Sequence, residues 1–409
     1  FMAKIAVIGS GISGLTSAYL LAQKHQVTVY EANDYLGGHT HTHLIELAGK
    51  TLAVDTGFIV YNDRTYPNFI RLLEKLGCSG RPTEMSFSVK RPGLEYNGHN
   101  VNALFAQRSN LVNVRFLGML RDILHFNRKA SAIGSDDRRS LGEYLSDEHY
   151  GTAFREDYLI PMTAAIWSTG DADVIHFPIR SLAQFFVNHG LVDLKNRPQW
   201  RVVTGGSHSY VKAMQTKIGE VKLGSPVDRI ERAAEHVLVR SKGQEHRYDE
   251  VIIAVHSDQA LGLLGDPSLV ELEVLSPMRY CSNEVTLHTD SSLLPKRKLA
   301  WASWNYDAGL QKEKATLTYN MNILAGIESN KDVLVTLNDE GKIDPTKILR
   351  TARYDHPVLN QQMIASQHRH AEISGVNRTH YCGAYWRYGF HEDGVVSALD
   401  VCKTFGVGL

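Results

Sequence analysis

The chain has 409 residues, 43% of them hydrophobic, with 44 basic side chains against 44 acidic ones. At about 150 residues per domain that length predicts two to three domains around a large core, and the zero net charge argues against a protein that grips nucleic acid over its whole surface. Cys78, Cys281, Cys382 and Cys402 form no C-x-x-C pair, which fits reduced thiols in a cytoplasmic protein better than a disulfide framework or a cysteine zinc site.

Phe1 ahead of Met2 reads as a tag remnant and carries no weight. Lys4–Ile8 is a short, apolar, β-branched run, the pattern of a strand buried on both faces of a parallel sheet. Gly9-Ser10-Gly11-Ile12-Ser13-Gly14 follows, then Leu15, Ala18, Leu21 and Ala22 recur at helical spacing, and Gln26–Tyr30 reads as a second strand ending at Glu31. Residues 5–23 carry no charge behind Lys4, yet their glycines, serines and threonines make them too polar for a signal-peptide core or a spanning helix. No secretion signal and no transmembrane segment are expected. Strand, glycine turn, helix and strand instead predict a dinucleotide-binding unit. Gly9 permits the tight turn, Gly11 lets backbone amides approach a pyrophosphate, and Gly14 lets the helix pack close to the strand, with the helix N-terminus facing the phosphates. Glu31 lies about 20 residues on, where a carboxylate accepts hydrogen bonds from ribose hydroxyls. These features alone leave NAD and FAD open.

The next stretch, Asn33-Asp34-Tyr35-Leu36-Gly37-Gly38-His39-Thr40, resembles the E-x6-G-G-[RH] extension of the flavin amine oxidase and phytoene desaturase superfamily. Further stretches similar to that family follow in order over nearly the whole chain: Val54-Asp55-Thr56-Gly57, Gly205-Gly206, Ser225-Pro226-Val227, residues 248–254, Tyr381-Cys382-Gly383, and Gly389-Phe390-His391-Glu392-Asp393-Gly394. The resemblance implies noncovalent FAD, with the glycine pair adding backbone to the pyrophosphate and His39 standing where the family has its pyrophosphate-contacting basic residue. Carried over residue by residue, the cofactor contacts fall on Gly9, Ser10, Gly11, Ile12, Ser13, Gly14, Glu31, Ala32, Gly37, Gly38, His39, Thr40, Gly57, Phe58, Val227, Ala254, Gly383, Phe390, Gly394 and Val395. Val227 would begin a strand whose backbone pairs with adenine, and residues 251–255 read as another buried parallel strand. Gly394 and Val395 would open a helix whose amide dipoles point at the flavin pyrimidine edge and stabilise the electron-rich reduced ring.

The expected fold class is α/β, a Rossmann-type FAD-binding domain interleaved with an α+β substrate domain that contains an antiparallel sheet. Residues 2–60, 200–262 and 376–409 would build the first, and 61–199 and 263–375 the second. Strands are expected at 85–90, 284–288, 315–321 and 333–337, and helices at 66–76 and 103–130. Residues 104–129 set Arg108, Arg115, Arg121, Arg128 and Lys129 against one acid, Asp122, with Leu117, Leu120, Ile123 and Leu124 as an apolar stripe. Such a helix either touches a membrane peripherally or covers the substrate domain with its arginines solvated; the second reading is preferred. His39, His41 and His43 alternate, so in a strand they would share one face, but a metal site is the weaker explanation and no metal is expected.

Flavin takes a hydride at its own ring, so the protein need only orient a C–H bond and exclude competing reactions. In the amine oxidases a lysine and an aromatic cage stand beside the flavin; the resemblance places Asn283 where the lysine is expected and Phe390 where one cage tyrosine is expected. Asn283, His391 and Glu392 are the catalytic candidates, the last two either as an acid–base pair or with Glu392 as part of a flavin-supporting turn. Tyr61, Ile166, Trp167, Phe186, His189, Tyr319 and Phe390 are the candidate pocket lining. Several of these stretches, with residues 300–306, also resemble short bacterial amine-oxidase-like flavoproteins associated with cyclopropane-fatty-acid-synthase-like methyltransferases, which implies a fatty-acyl substrate. The expected activity is that of an FAD-dependent oxidase or desaturase on an apolar chain. An amine oxidase, a redox-neutral flavin isomerase and a non-catalytic partner of a lipid methyltransferase are the alternatives.

Overall fold

The computed structural model describes residues 2–309 and 313–409; Phe1, expected from sequence to be a tag remnant, lies outside the described residues. Five parallel strands form the first sheet in the order Glu220–Lys222, Gln26–Tyr30, Lys4–Ile8, Glu250–Ile253, Thr379–Tyr381. Ile5, Ala6 and Val7 in its central strand are fully buried, because helices cover both faces and a parallel sheet then has no polar side. The helix Ile12–Leu21 leaves the central strand through the glycine turn and packs against the C-terminal helix His391–Thr404. Thus the first and last segments of the chain meet at the turn.

Among the described residues the largest sheet has seven strands in the order Ile348–Pro357, Tyr280–His288, Leu334–Leu337, Leu317–Asn320, Trp304–Asp307, Phe87–Arg91, Leu94–Asn97. Its pairings are antiparallel except that of Trp304–Asp307 with Phe87–Arg91. The expected strands are all present with shifted ends; the one expected at 284–288 begins four residues earlier because Ile348–Pro357 pairs along its whole length. One continuous buried cluster joins Ala6, Ile8 and Val251 of the parallel sheet to Phe154, Trp167 and Val335 of the rest.

The helix expected over 103–130 is three pieces, Val101–Leu104, a 3-10 turn Arg108–Val112, and Val114–Lys129. The last begins where the Asn113 side chain accepts from the Phe116 amide at 3.2 Å, an N-cap that restarts the helix. Its buried face is Phe116, Met119 and Phe126, with Asp122 accepting from the Gly151 amide. Leu117 and Leu124, expected in the apolar stripe, are exposed instead. Among the described residues no helix is long and apolar enough to cross a membrane.

Candidate functional site

The glycine turn is built from two contacts and one gap. Gly9 has φ +101°, and a side chain there would stand 2.6 Å from the Ala254 carbonyl oxygen, at the point where strand Glu250–Ile253 ends. A side chain on Gly14 would stand 1.9 Å from the Gly9 carbonyl oxygen. By contrast a side chain on Gly11 would meet nothing within 4 Å. Gly11 is also the N-cap of Ile12–Leu21 and no side chain caps it, so the first-turn amides of Ile12, Ser13 and Gly14 face the same open space. Gly38 closes the far side, its own Cβ position 3.1 Å from the Gly11 Cα, and the Gly37 amide donates to the Ser10 carbonyl at 3.0 Å.

Glu31 is buried at the end of the second strand. One carboxylate oxygen accepts from the Ser10 amide at 3.1 Å and from the Ser10 hydroxyl, the other from the Asn33 amide at 2.8 Å. The oxygen that faces Asn33 keeps a lone pair for a further donor. Ala32 is exposed beside it, while Val227 begins the strand Val227–Arg232. An amide-lined gap for a pyrophosphate and a fixed acceptor for a ribose together suit a dinucleotide.

The C-terminal helix starts at His391, three residues before the Gly394 start expected from sequence. The Gly394 amide is therefore closed onto the Phe390 carbonyl at 3.1 Å, and the free first-turn amides are those of residues 391–393. Gly394 and Val395 serve packing: the Gly394 carbonyl accepts from the Ser13 hydroxyl at 2.9 Å and Val395 is fully buried, which docks this helix on the glycine turn. The Gly383 amide donates to the Ser397 hydroxyl at 3.0 Å and fixes the preceding loop to the same helix.

His391 and Glu392 point to different partners. The His391 ring stacks on Phe58 at 3.6 Å, and its Nε2 lies 2.7 Å from the Tyr210 hydroxyl and 3.2 Å from Thr40 Oγ1. Burial pulls its pKa down to about 3, so the imidazole is neutral. Glu392 instead accepts from the Asn68 and Phe69 amides at 2.9 and 2.8 Å and from the Asn68 side chain at 2.8 Å. It caps the helix Pro67–Lys75, whose Tyr66 N-cap supplies no side-chain bond. The structure thus gives them no acid–base contact.

Of the alternating histidines, His41 and His43 do lie together, ring centroids 4.1 Å apart, while His39 departs because the strand Thr42–Leu47 starts only after His41. His41 stacks on Tyr35 at 3.9 Å and His43 bonds Thr56 Oγ1 at 3.0 Å, whereas His39 turns toward Tyr354, His356 and His256, with ring centroids at 5.2, 5.1 and 6.0 Å. Burial first, then its imidazole neighbours, holds His39 well below the ordinary histidine pKa. Among the described residues no group of three or more metal-ligating side chains is arranged to hold an ion.

Asn283 is buried and fully engaged: its amide nitrogen donates to the Ser168 carbonyl at 3.0 Å and lies 2.9 Å from His356 Nδ1, and its oxygen accepts from Asn338 at 2.8 Å. Ser168 follows Trp167, whose ring meets Phe390 at 5.6 Å and Phe185 at 4.7 Å. Phe185 stacks on both Phe390 and His189, at 4.9 and 3.7 Å. Of the expected pocket residues, Trp167, His189 and Phe390 therefore meet in one aromatic cluster, which would wall a substrate chamber. Ile166 is half-buried against the same core.

Three others stand apart. Phe186 lies about 100° around the helix Ile179–Asn188 from Phe185 and packs on Phe126; Tyr61 packs on Phe69 and Tyr66, and Tyr319 on Trp304. Phe185 is the wall residue that sequence reasoning passed over, although its i, i+4 spacing with His189 would have chosen it. Tyr210, His256 and His356 were passed over as well; each lies in a segment with no motif of its own.

Fold and cradle together define a dinucleotide-binding protein of the two-sheet flavoprotein class. The chain belongs to the flavin containing amine oxidoreductase family, whose model matches residues 12–316, and its cofactor is FAD. It is 24% identical to an L-amino-acid oxidase of Siganus canaliculatus over 70% of this chain and 57% of that protein. It is 53% identical to a 1-hydroxycarotenoid 3,4-desaturase of Flavobacterium sp. (strain P99-3) over 36% of this chain and 26% of that one. The chain thus spans little more than half the length of the first of these relatives. Among solved structures, the CLA-producing fatty acid isomerase from P. acnes shares the fold, with TM-score 0.70 and 15% identity over 98% of each chain.

Proposed function

We propose that the protein is an FAD-dependent oxidoreductase, an oxidase or desaturase, acting on an apolar and specifically fatty-acyl substrate. When bound, FAD accepts the hydride from the substrate C–H bond. In this reading Gly11 and the first-turn amides of residues 12–14 hold the pyrophosphate and Glu31 the ribose, and His391, fixed by Phe58, Tyr210 and Thr40, supports the ring as a neutral imidazole. The FAD is held without a covalent bond, so acid or heat releases it from the yellow protein.

One observation carries the substrate class. The chamber at Phe390 is walled by Trp167, Phe185 and an uncharged His189, whose pKa burial lowers to about 4, and Asn283 beyond it is tied into an amide network. A cation buried there has no carboxylate in these contacts to offset its desolvation, whereas each buried CH₂ contributes about 0.8 kcal/mol. An amine oxidase is the second reading, favoured by the aromatic rings themselves, since Trp167 and Phe390 offer faces to an ammonium. Anaerobic mixing distinguishes the two. Fatty-acyl substrates are expected to bleach the flavin and primary amines and polyamines to leave it yellow; rapid bleaching by a simple amine overturns the acyl reading.

The segment 104–129 is proposed as a peripheral membrane contact. Leu111, Val112, Val114 and Leu117 are exposed together at the start of the Val114–Lys129 helix, with Arg108 and Arg121 also exposed. Partly apolar ridges bordered by arginines suit an anionic lipid surface.

A further inference from the structure

Behind these aromatic rings lies a cavity of about 930 Å³. The helix Ile179–Asn188 separates the two. Phe185, with His189 just past the helix end, faces the chamber, while Arg180, Gln184 and Asn188, at i, i+4 and i+8, line the cleft. The partition continues through Tyr388, which lines the cleft, comes 5.9 Å from Phe185 with its ring, and accepts from the Trp167 indole at 3.0 Å with its carbonyl.

The cleft differs chemically from the chamber. Serines, glutamines and Asn188 line it together with Arg180 and Arg387. Its two carboxylates are already committed, Asp400 facing Arg387 at 3.7 Å and Asp393 accepting from the Phe390 amide at 2.9 Å. Arg180, in contrast, is held by two long bonds to neutral acceptors, the Ser135 carbonyl and the Gln361 side chain, each at 3.4 Å. No ion pair of Arg180 occurs among the described residues. Asp137, the acid its charge reaches, is paired with Arg139 at 2.7 Å, so Arg180 on this polar cavity wall is suited to a further carboxylate or a phosphate.

We infer that this cleft binds the anionic end of the acyl substrate, with Arg180 as its principal partner and the chain passing Tyr388 and Asn188 to Phe390. The inference rests on the acyl reading above and adds what recognises the polar end. The shared chemistry is an anion on an apolar chain, which a free fatty acid supplies as a carboxylate and a lipid headgroup as a phosphate.

Calorimetric titration of the FAD-loaded protein with oleate, 1-oleoyl lysophosphatidate and oleyl alcohol tests it. At least one anionic probe is expected to bind about tenfold or more tightly than the alcohol, the increment of a charge-assisted hydrogen bond, and the tighter of the two identifies the source. Arg180→Gln should remove that preference while leaving the alcohol's affinity unchanged, and Arg180→Lys should keep most of it. Equal wild-type affinity for the charged and neutral chains overturns the anion site and leaves the acyl reading standing. Loss of all three probes in R180Q, with flavin content and melting temperature unchanged, also overturns it. No binding of any chain to the wild type ends the acyl reading and the anion site with it. The wild-type comparison decides the question even where a variant fails to fold.

Discussion

Gly11 and Gly14 sit three residues apart and resist substitution for different reasons. A methyl group on Gly14 collides with the Gly9 carbonyl, a backbone atom that cannot yield without opening the turn. A methyl group on Gly11 enters empty space, the space assigned to the pyrophosphate. Gly11→Ala is therefore expected to give a folded protein that purifies colourless, with a far-UV spectrum like that of wild-type protein stripped of flavin, whereas Gly14→Ala should lower the yield of folded protein. If G11A kept its flavin on dilution, the cradle would be misassigned. Glu31→Ala removes the ribose acceptor and the partner of Ser10 and Asn33 together. At about 1.5–3 kcal/mol for each hydrogen bond to a charged group, FAD affinity should fall at least tenfold; unchanged retention by a well-folded variant would remove Glu31 from the site.

At the scale of elements, the C-terminal helix ties the site together from its first turn. Phe390, His391 and Glu392 leave it toward the chamber, toward Thr40 and Tyr210, and toward the helix Pro67–Lys75. Asp393 completes the turn by accepting from the Phe390 amide, and burial raises its pKa to about 7. A raised acid binds its proton more tightly in the folded state, so its stabilising contribution is complete below the unfolded value and is lost as pH climbs to about 7. His391, with its pKa lowered to about 3, works in the other direction and costs stability as pH falls below the ordinary histidine value. Asp393→Asn keeps an oxygen acceptor for the Phe390 amide but has no proton to lose. Its melting temperature should therefore fall less than that of the wild type between pH 5 and pH 8, and parallel curves would show that Asp393 is not the group titrating.

The whole molecule presents an exposed apolar ridge at Leu111, Val112, Val114 and Leu117, on the element whose far end, at Ala130, borders the cleft of Arg180. Val112→Asp with Val114→Asp touches neither the flavin cradle nor the chamber. The pair is expected to abolish sedimentation with phosphatidylglycerol vesicles while the flavin spectrum and melting temperature stay as in the wild type. Equal sedimentation of the variant and the wild type would show that the ridge is not the contact.

The amino-acid sequence by itself determined the cradle, because a βαβ turn is local. Residues 4–31 contain the strand, the glycines, the helix and the acid, and each needs only its near neighbours to take its place. It also marked the C-terminal motif as part of the candidate site, although not where its helix starts: the Asp393 contact to Phe390 that begins the helix early is a cap, and ends are set by caps rather than by apolar spacing. The tertiary structure alone decided which aromatic residues face one another. Phe185 and Phe186 are chemically identical and adjacent, yet one meets Phe390 and the other Phe126, because the orientation of the Ile179–Asn188 helix fixes the direction of every side chain on it. It likewise separated His391 from Glu392, which sequence places side by side, and joined Asn283 to Ser168 and His356. Contacts between residues so distant along the chain depend on how sheets and helices stack, and no local pattern encodes that stacking.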